Sequence, residues 1–358
     1  MVVMVTSPME KKTEALVQYP KVAVVILNWN GRYFLEKFLP SVYNSTYPNL
    51  QVVVGDNGST DDSIAFVKQF YPQISCVFNE ENYGFAGGYN RILQQVEADY
   101  YVLLNSDVEV SPQWIEPIIA QMEQDATLGA VQPKILAYHQ KDHFEHAGAS
   151  GGYIDRYGFP FCRGRMLHVT EADHGQYNDV QEIAWASGAA FFIRRETWIA
   201  SGGFDEDFFA HFEEIDLCWR LQRMGWRIAV NPKSTVYHVG GGTLNKSNPR
   251  KTYLNFRNNL YMLQKNLPIV KAYWIIGLRL WFDLAALLQF VVEGKWQDAA
   301  AVSRAHRHFF RDIFKTAQKR NPSFPFIDPK GLYKGSFIWD FYVHKTQQFH
   351  LLQKKKFL

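Results

Sequence analysis

Between residues 21 and 135, short apolar runs alternate with stretches whose apolar positions recur at helical spacing. Val22–Leu27 is a nearly continuous apolar run, the pattern of a strand covered on both faces. Arg32–Tyr43 places Phe34, Leu35, Phe38, Leu39 and Val42 on one helical face. The series continues with strands over Val52–Val54, Ile74–Phe78 and Tyr100–Leu104, and with helices over Asp61–Phe70 and Gly87–Val96. Alternation of this kind predicts an α/β fold with βαβ units and a mainly parallel sheet flanked by helices.

Residues 137–182 break the pattern. They are rich in Gly, His, Asp and Tyr without a sustained period, and read as long loops and short strands over the crevice. Ala184–Ile193 reads as a strand, Ile215–Met224 as a helix closed by Gly225, and Trp226–Val230 and Thr235–Val239 as two strands. From about residue 249 the pattern is helical: Tyr253–Asn266, then Tyr273–Val292, rich in Trp, Leu and Ile but interrupted by Arg279 and Asp283. Last comes a basic helix over Asp298–Lys319 with Arg304, Arg307, Arg311 and Lys315. The expected division is an N-terminal extension over 1–20, an α/β domain over 21–265 and a helical C-terminal extension over 266–358.

Aromatic residues make up 16% of the chain, more than a soluble core requires, which points to carbohydrate, lipid or protein surfaces. A net charge of +3 is too small to argue for nucleic acid, which needs a clustered basic face, so no nucleic-acid partner is expected. Cys76, Cys162 and Cys218 are widely spaced, giving neither a disulfide framework nor zinc spacing, and fit a reducing compartment. The first twenty residues lack the apolar core of a signal peptide. No apolar run reaches the roughly 18 residues of a spanning helix. The expected location is the cytoplasm.

Candidate chemistry gathers at the ends of the predicted strands. Asp107, in Asn105-Ser106-Asp107, follows a buried strand, and a carboxylate there points into the crevice where open α/β sheets bind ligands. It is suited to hold Mg²⁺ or Mn²⁺ against a nucleotide diphosphate. His238, followed by Gly240-Gly241-Gly242, is a candidate second ligand. Asp56, in Asp56-Asn57-Gly58-Ser59, is a candidate acceptor for a uracil or thymine N–H, with Asn28 on the same nucleotide; a plain strand–turn–helix is the alternative. The glycines at 84, 87 and 88 do not follow the G-x-G-x-x-G of a dinucleotide site, although the helix start there can approach a nucleotide closely.

Glu213-Glu214-Ile215-Asp216 puts three acids in four residues among aromatics, beyond what a helix dipole calls for. One such carboxylate can take a proton from an attacking hydroxyl while a metal stabilises a departing diphosphate, and apolar neighbours raise the base's pKa. Asp216 orients the helix or binds an acceptor hydroxyl. Trp185 with Ala186–Ala190 is either a floor beneath a sugar ring or a core strand. His139, His143 and His146 with Glu145 resemble a metal patch but lack the H-E-x-x-H spacing.

Five segments carry a resemblance: Asn28-Trp29-Asn30-Gly31; Asp56-Asn57-Gly58-Ser59; Asn82 to Asn90; Leu104-Asn105-Ser106-Asp107; and Gly202–Glu206 leading to Phe212–Leu217. In this order they resemble the family 2 glycosyltransferases of the GT-A fold, rhamnosyltransferase-like subgroup, over about residues 20–265. The resemblance implies inverting transfer from a nucleotide-diphosphate sugar, dTDP-rhamnose or a UDP-sugar favoured, to a cell-surface polysaccharide or lipid-linked glycan acceptor at the cytoplasmic face of the inner membrane. It implies Mg²⁺ or Mn²⁺ at Asp107 and His238, and nucleotide-sugar contacts from Asn28, Asn30, Asp56, Asn82, Gly84, Phe85, Gly88, Asn90, Ser106 and Trp185. It also implies catalytic roles around Glu213, Glu214 and Asp216, with Glu214 in the place of the base. Asn105 replaces the first acid of the usual Asp-x-Asp, and Glu214 stands where the family has Asp. These departures leave Glu213 and Glu214 both open as base. They also motivate an alternative, a non-catalytic sugar-nucleotide-binding partner in a glycan biosynthesis complex. Residues 266–358 carry no motif; they read either as a peripheral membrane contact or as helices packing on the domain or forming a homodimer.

Overall fold

In the computed structural model, which describes residues 18–240 and 248–358, the first half of the chain alternates as the pattern requires. It runs β1 (Val22–Asn28), α1 (Arg32–Tyr43), β2 (Leu50–Asn57), α2 (Ser63–Phe70), β3 (Ser75–Asn79), α3 (Gly84–Leu93) and β4 (Tyr100–Asn105). The expected extension over 1–20 lies outside the described residues save for 18–20, as do Gly241 and Gly242. The strands β3-β2-β1-β4 pair in parallel, with Asn28 opposite Asp56, Leu27 opposite Asn105 and Asn57 opposite Asn79. β1 and β4, apolar up to their terminal asparagines, take the centre. Val22, Val24 and Ile26 pack with Leu35 and Leu39 of α1 and Val67 of α2, while Ala23 and Val25 pack with Tyr89 and Ile92 of α3. The parallel strands end level, so one row of polar residues lines the carboxyl edge of the sheet.

Beyond β4 the sheet becomes mixed. The chain continues through β5 (Val108–Val110), α4 (Glu116–Gln124), β6 (Leu128–Ala137) and β7 (Gln140–Phe144). Residues 137–182, read as loops with short strands, build part of a second sheet. Its strands β8 (Gly152–Asp155), β9 (Pro160–Cys162), β10 (Arg165–Met166) and β11 (Val169–Thr170) are joined by β15 (Leu332–Tyr333) from the C-terminal region. The first sheet regains β12 (Gln181–Glu182), β13 (Ala190–Arg194) and, after α5 (Arg195–Ser201) and α6 (Glu213–Arg223), β14 (Arg227–His238). β13 inserts antiparallel between β4 and β6.

Two strand boundaries differ from expectation. Only Ala190–Arg194 of the 184–193 run is strand, because Ser187 N is bonded to Gln132 Oε1 and Ala186 N to Cys218 Sγ rather than to a neighbouring strand. The two strands expected over 226–239 are one, with a register shift between Asn231 and Thr235 around Pro232, which cannot donate to the ladder.

The remainder is α7 (Pro249–Asn266), α8 (Ile269–Val292), α9 (Trp296–Arg311), α10 (Ile313–Gln318) and α11 (Phe337–Tyr342). α7 packs against α6 on one side and against α8 and α9 on the other. The basic helix expected over 298–319 divides at Asp312 into α9 and α10. The expectation that no run is long and apolar enough to span a membrane is corrected at α8. Within its 24 residues an 18-residue window reaches a mean hydropathy of 1.8, and 22% of that window is buried.

Candidate active site

Asn28 ends β1 and is fully buried. Its Nδ2 lies 2.9–3.1 Å from Asp56 Oδ1, Ser59 Oγ and Ser63 Oγ, while Asp56 Oδ2 accepts from Ser59 N at 3.1 Å. Asn28 therefore fixes the carboxylate of Asp56 at the end of the adjacent strand. Asn28 Oδ1 has no hydrogen-bond partner among the described residues and faces Gly31, where a Cβ would lie 2.4 Å from it and 3.7 Å from Ser106 Oγ. Gly31 thus leaves a space bounded by an unpaired acceptor and a hydroxyl. Asn30 sits at a left-handed φ of 50°, its Oδ1 accepting from the backbone N of Thr60 at 2.7 Å, so it locks the loop carrying Ser59.

The Gly-rich segment is held from inside. Asn82 Oδ1 accepts from Asn57 Nδ2 at 3.0 Å and from Gly84 N at 2.9 Å, and Asn57 Oδ1 accepts from Asn79 Nδ2 at 2.9 Å. The N–H groups of Phe85 and Ala86, at the start of α3, donate to the Phe209 carbonyl at 2.7 and 3.1 Å. Those two donors are engaged by protein, unlike the open helix start expected from sequence. Gly84 has a φ of 73°, and a Cβ there would lie 2.5 Å from the same carbonyl. Gly88 admits Leu27 and Asn57 against α3, and Phe85 packs on Tyr89 and Phe204. Asn90 grips the backbone of Phe204, accepting from its N at 3.0 Å and donating to its O at 2.9 Å.

The antiparallel pairing of β5 with β14 sets His238 opposite Val108 and so beside Asp107. Both side chains are buried, with His238 Nε2 3.2 Å from Asp107 Oδ1. Behind the ring, Nδ1 lies 3.3 Å from Glu145 Oε2, without hydrogen-bond alignment. Burial pulls the imidazole pKa down, but the Asp107 and Glu145 carboxylates outweigh it and hold the value up at about 10. Burial likewise works against ionised Asp107, and His238 overcomes it, keeping the carboxyl below its usual range.

The donor set fits a divalent cation. Asp107 and His238 converge, with the Glu145 carboxylate 3.3 Å behind the imidazole. Among the described residues no group of three or more His, Cys, Asp or Glu could hold a cation alone. A metal here would therefore share its shell with ligand oxygens and water. The histidine patch expected as a rival is dispersed: His143 contacts Asp142, and Glu145 serves His238.

The acids of α6 separate sharply. Glu213 is buried and Glu214 half-buried, and one carboxylate oxygen of each has no partner among the described residues. Burial raises both, Glu213 well above the usual range with added repulsion from Glu214, and Glu214 to about 7. Asp216, expected among the catalytic residues, is instead a structural tie. Its Oδ2 accepts from Arg220 Nε and Lys265 Nζ, both at 2.8 Å, and its Oδ1 accepts from Asn266 Nδ2 at 2.8 Å, leaving no carboxylate oxygen free. Trp185 is also corrected. It is 4% exposed, its Nε1 bonded to Tyr153 O at 2.9 Å and its ring stacked so closely on Gly152 that a Cβ there would lie 2.1 Å away. A ring so enclosed cannot floor a sugar.

The backbone before α6 is strained: Phe209, His211 and Phe212 all have left-handed φ of 63–72°. α7 holds it there. Asn258 Nδ2 lies within 2.7–2.9 Å of the carbonyls of Phe208, Ala210 and His211, and Arg257 Nη2 donates to Asp207 O at 2.8 Å. A cavity of about 630 Å³ lies at the opposite edge of the sheet, lined by Tyr19, Lys21, Asp99, Glu123 and Arg195, and holds none of these groups.

Residues 23–190 match the family model for glycosyl transferase family 2. The chain carries a family 2 glycosyltransferase domain. Over 233 residues it is 26% identical to the N-acetylglucosaminyl-diphospho-decaprenol L-rhamnosyltransferase of Mycobacterium tuberculosis, covering 60% of this chain and 75% of that protein. It is 25% identical over 223 residues to the O-antigen biosynthesis protein RfbC of Myxococcus xanthus, covering 61% of this chain and 17% of that protein. Among solved structures, S. aureus TarS 1–349 in complex with UDP-GlcNAc superposes with a TM-score of 0.54 at 14% identity, covering 84% of each chain. GalNAc-T7 with UDP, GalNAc and Mn²⁺ superposes at 0.53 and 17%, covering 69% of this chain and 48% of that one. At these identities the likeness shows the fold, GT-A.

Three features of this glycosyltransferase domain escaped the sequence. Glu145 stands in an irregular stretch and gains meaning only beside His238. Asn57 and Asn79 lie just past the runs read as strands, and nothing in their spacing pairs them with each other or with Asn82. Arg257-Asn258 had a faint signal, lying in the polar run Arg257-Asn258-Asn259 between the apolar residues Phe256 and Leu260.

Proposed function

We propose that this chain is an inverting, metal-dependent glycosyltransferase. It moves a sugar from a nucleotide-diphosphate donor, dTDP-rhamnose or a UDP-sugar, to a hydroxyl of a cell-surface polysaccharide or lipid-linked glycan. Residues 21–265 form the catalytic domain and 266–358 a helical extension, working at the cytoplasmic face of the inner membrane. The observation that carries this reading is Glu214: a half-buried carboxylate with an unpartnered oxygen and a pKa near 7, in the first turn of α6 directly after a strained loop. A general base works best with its pKa near the operating pH.

Glu214 takes the proton from the attacking hydroxyl as the new O–C1 bond forms and the bond from C1 to the diphosphate breaks. Glu213, deeper and pushed further up, stays protonated and keeps a second charge away from Glu214. Asp56, fixed by Asn28, accepts from the base of the nucleotide, and Asn28 and Ser106 line the space beside Gly31. Asp107 and His238 would hold Mg²⁺ or Mn²⁺, which neutralises charge on the departing diphosphate. The relative named as a rhamnosyltransferase acting on a diphospho-decaprenol, and the neighbours bound to UDP-sugar or to UDP with Mn²⁺, support the donor, acceptor and metal classes.

The test is calorimetric titration of the purified chain with UDP, dTDP and GDP, each with Mn²⁺ and with EDTA, followed by transfer assays with the matching sugars. Metal-dependent binding of one nucleotide with transfer is expected. Binding without transfer to any acceptor would favour the partner role, and no binding to a folded sample would overturn the reading.

A further inference from the structure

α8 is built inside out for a helix facing water. Val270, Trp274, Trp281, Leu284, Leu288 and Val292 are 41–87% exposed. At about 100° per residue they share one stripe roughly 100° wide. The opposite stripe, with Ala272, Ile275, Ile276, Arg279 and Asp283, is buried. There Asp283 bonds Arg279 Nη2 at 3.2 Å and His306 Nε2 of α9 at 3.0 Å, and Arg279 lies 3.6 Å over the Phe159 ring. Arg279 and Asp283 are thus used up inside the protein, while the Trp, Leu and Val residues of the outer stripe face out.

The charge of the chain is equally uneven. Residues 266–358 hold 15 Lys and Arg against 6 Asp and Glu, while the whole chain holds 38 against 35. α9 follows α8 after a three-residue turn and packs on it, and it exposes Arg304, Arg307, Phe310 and Arg311 together, with Phe314 just beyond at 81%. An apolar, tryptophan-bearing stripe beside exposed arginines matches the cross-section of an anionic bilayer surface, with acyl chains below and phosphates above.

We propose that the outward faces of α8 and α9 form a docking surface for an anionic lipid bilayer, with α8 lying in the plane of the interface. α8 has the length to span, but spanning would strip Arg279 and Asp283 from His306 and Phe159 and put their charges in hydrocarbon. α7 separates this surface from the loop that presents Glu213 and Glu214, so a lipid-bound acceptor would meet the site about one helix layer, roughly 10 Å, from the membrane. This deepens the proposed function by naming the surface on which it acts, and depends on that reading for its purpose alone.

The experiment is flotation of the full chain with vesicles of phosphatidylcholine alone and of phosphatidylcholine with roughly 30 mol % phosphatidylglycerol, in low and high salt, without donor. Sedimentation velocity is run alongside. Binding to the anionic vesicles is expected, weaker without phosphatidylglycerol and in high salt. It should fall about tenfold or more in Trp274→Ser/Trp281→Ser and in Arg304→Gln/Arg307→Gln. These positions are exposed, and unchanged melting and nucleotide affinity would confirm folding. No flotation, or flotation indifferent to both variants, would overturn the proposal. So would a dimer of the wild type that the tryptophan variant abolishes, which would assign the face to a second copy. Vesicle binding by a chain that transfers no sugar would sink the proposed function and leave this surface standing.

Discussion

Two carboxylate groups within one turn of α6 meet opposite fates. Asp216 is fully buried, neutralised by Lys265 and Arg220 and hydrogen-bonded by Asn266. Glu213 and Glu214, at the start of the same turn, keep oxygens with no partner among the described residues. Burial disfavours the charge of all three, yet Asp216 ends below its usual range and the glutamates above theirs, because only Asp216 is given cations. A buried charge is tolerated when paired. An unpaired one is expensive, and its persistence at a helix start directly after a strained loop marks a place kept ready for a proton rather than for stability.

The sharpest way to break this comparison is to neutralise one member of each group. Glu214→Gln is expected to lower kcat by about 10²–10⁴-fold with donor affinity nearly unchanged, the range for loss of a general base. In the wild type, kcat/KM should fall as pH drops below about 7, and the residual activity of the variant should lack that limb. If Glu214→Gln stays active and Glu213→Gln does not, the base is Glu213. Stability should move the other way. Glu214 binds its proton more tightly folded than unfolded, so its contribution is full below about 4.5 and is lost as pH rises through about 7. Glu214→Gln should therefore be more stable than wild type at pH 8, by about 3 kcal/mol in urea unfolding, and no more stable at pH 4.

Lys265→Met removes a cation shared by Asp216 and Asp205 and should cost about 3 kcal/mol in urea unfolding. A smaller loss than that of Glu214→Ala would contradict the contrast drawn here. Asp107→Ala should weaken nucleotide binding in Mn²⁺ by about 10–100-fold and leave binding in EDTA unchanged. Equal affinity in Mn²⁺ would remove Asp107 from the metal. The smallest effect is expected at Asn258. Asn258→Ala, which frees three carbonyls of the loop before α6, should lower kcat about tenfold while the donor KM holds. A loss of melting temperature with kcat intact would make Asn258 a purely structural brace.

Much of the first half of the molecule was legible. The apolar runs and helical spacing up to Tyr100–Leu104 located every strand and helix there, since βαβ units are local and their strands, covered on both faces, announce themselves. The polar strand ends Asn28, Asp56 and Asp107 were legible for the same reason. The second sheet was not, because β15 pairs with β8 across some 180 residues and neither strand has a period long enough to read. α8 was half legible: its aromatics stood out, but the direction they face depends on His306 and Phe159.

The sequence by itself determined that acids gather at the start of α6 and at the end of β4, because spacing along one element is a local property. Only the tertiary structure decided which of them are free. Asp216 finds Lys265 and Asn266 on α7, about fifty residues away, Asp107 finds His238 through the β5–β14 pairing, and Trp185 finds Gly152 in the second sheet. Whether a buried carboxylate is a tie or a base depends on its neighbours in space, and those were chosen by packing.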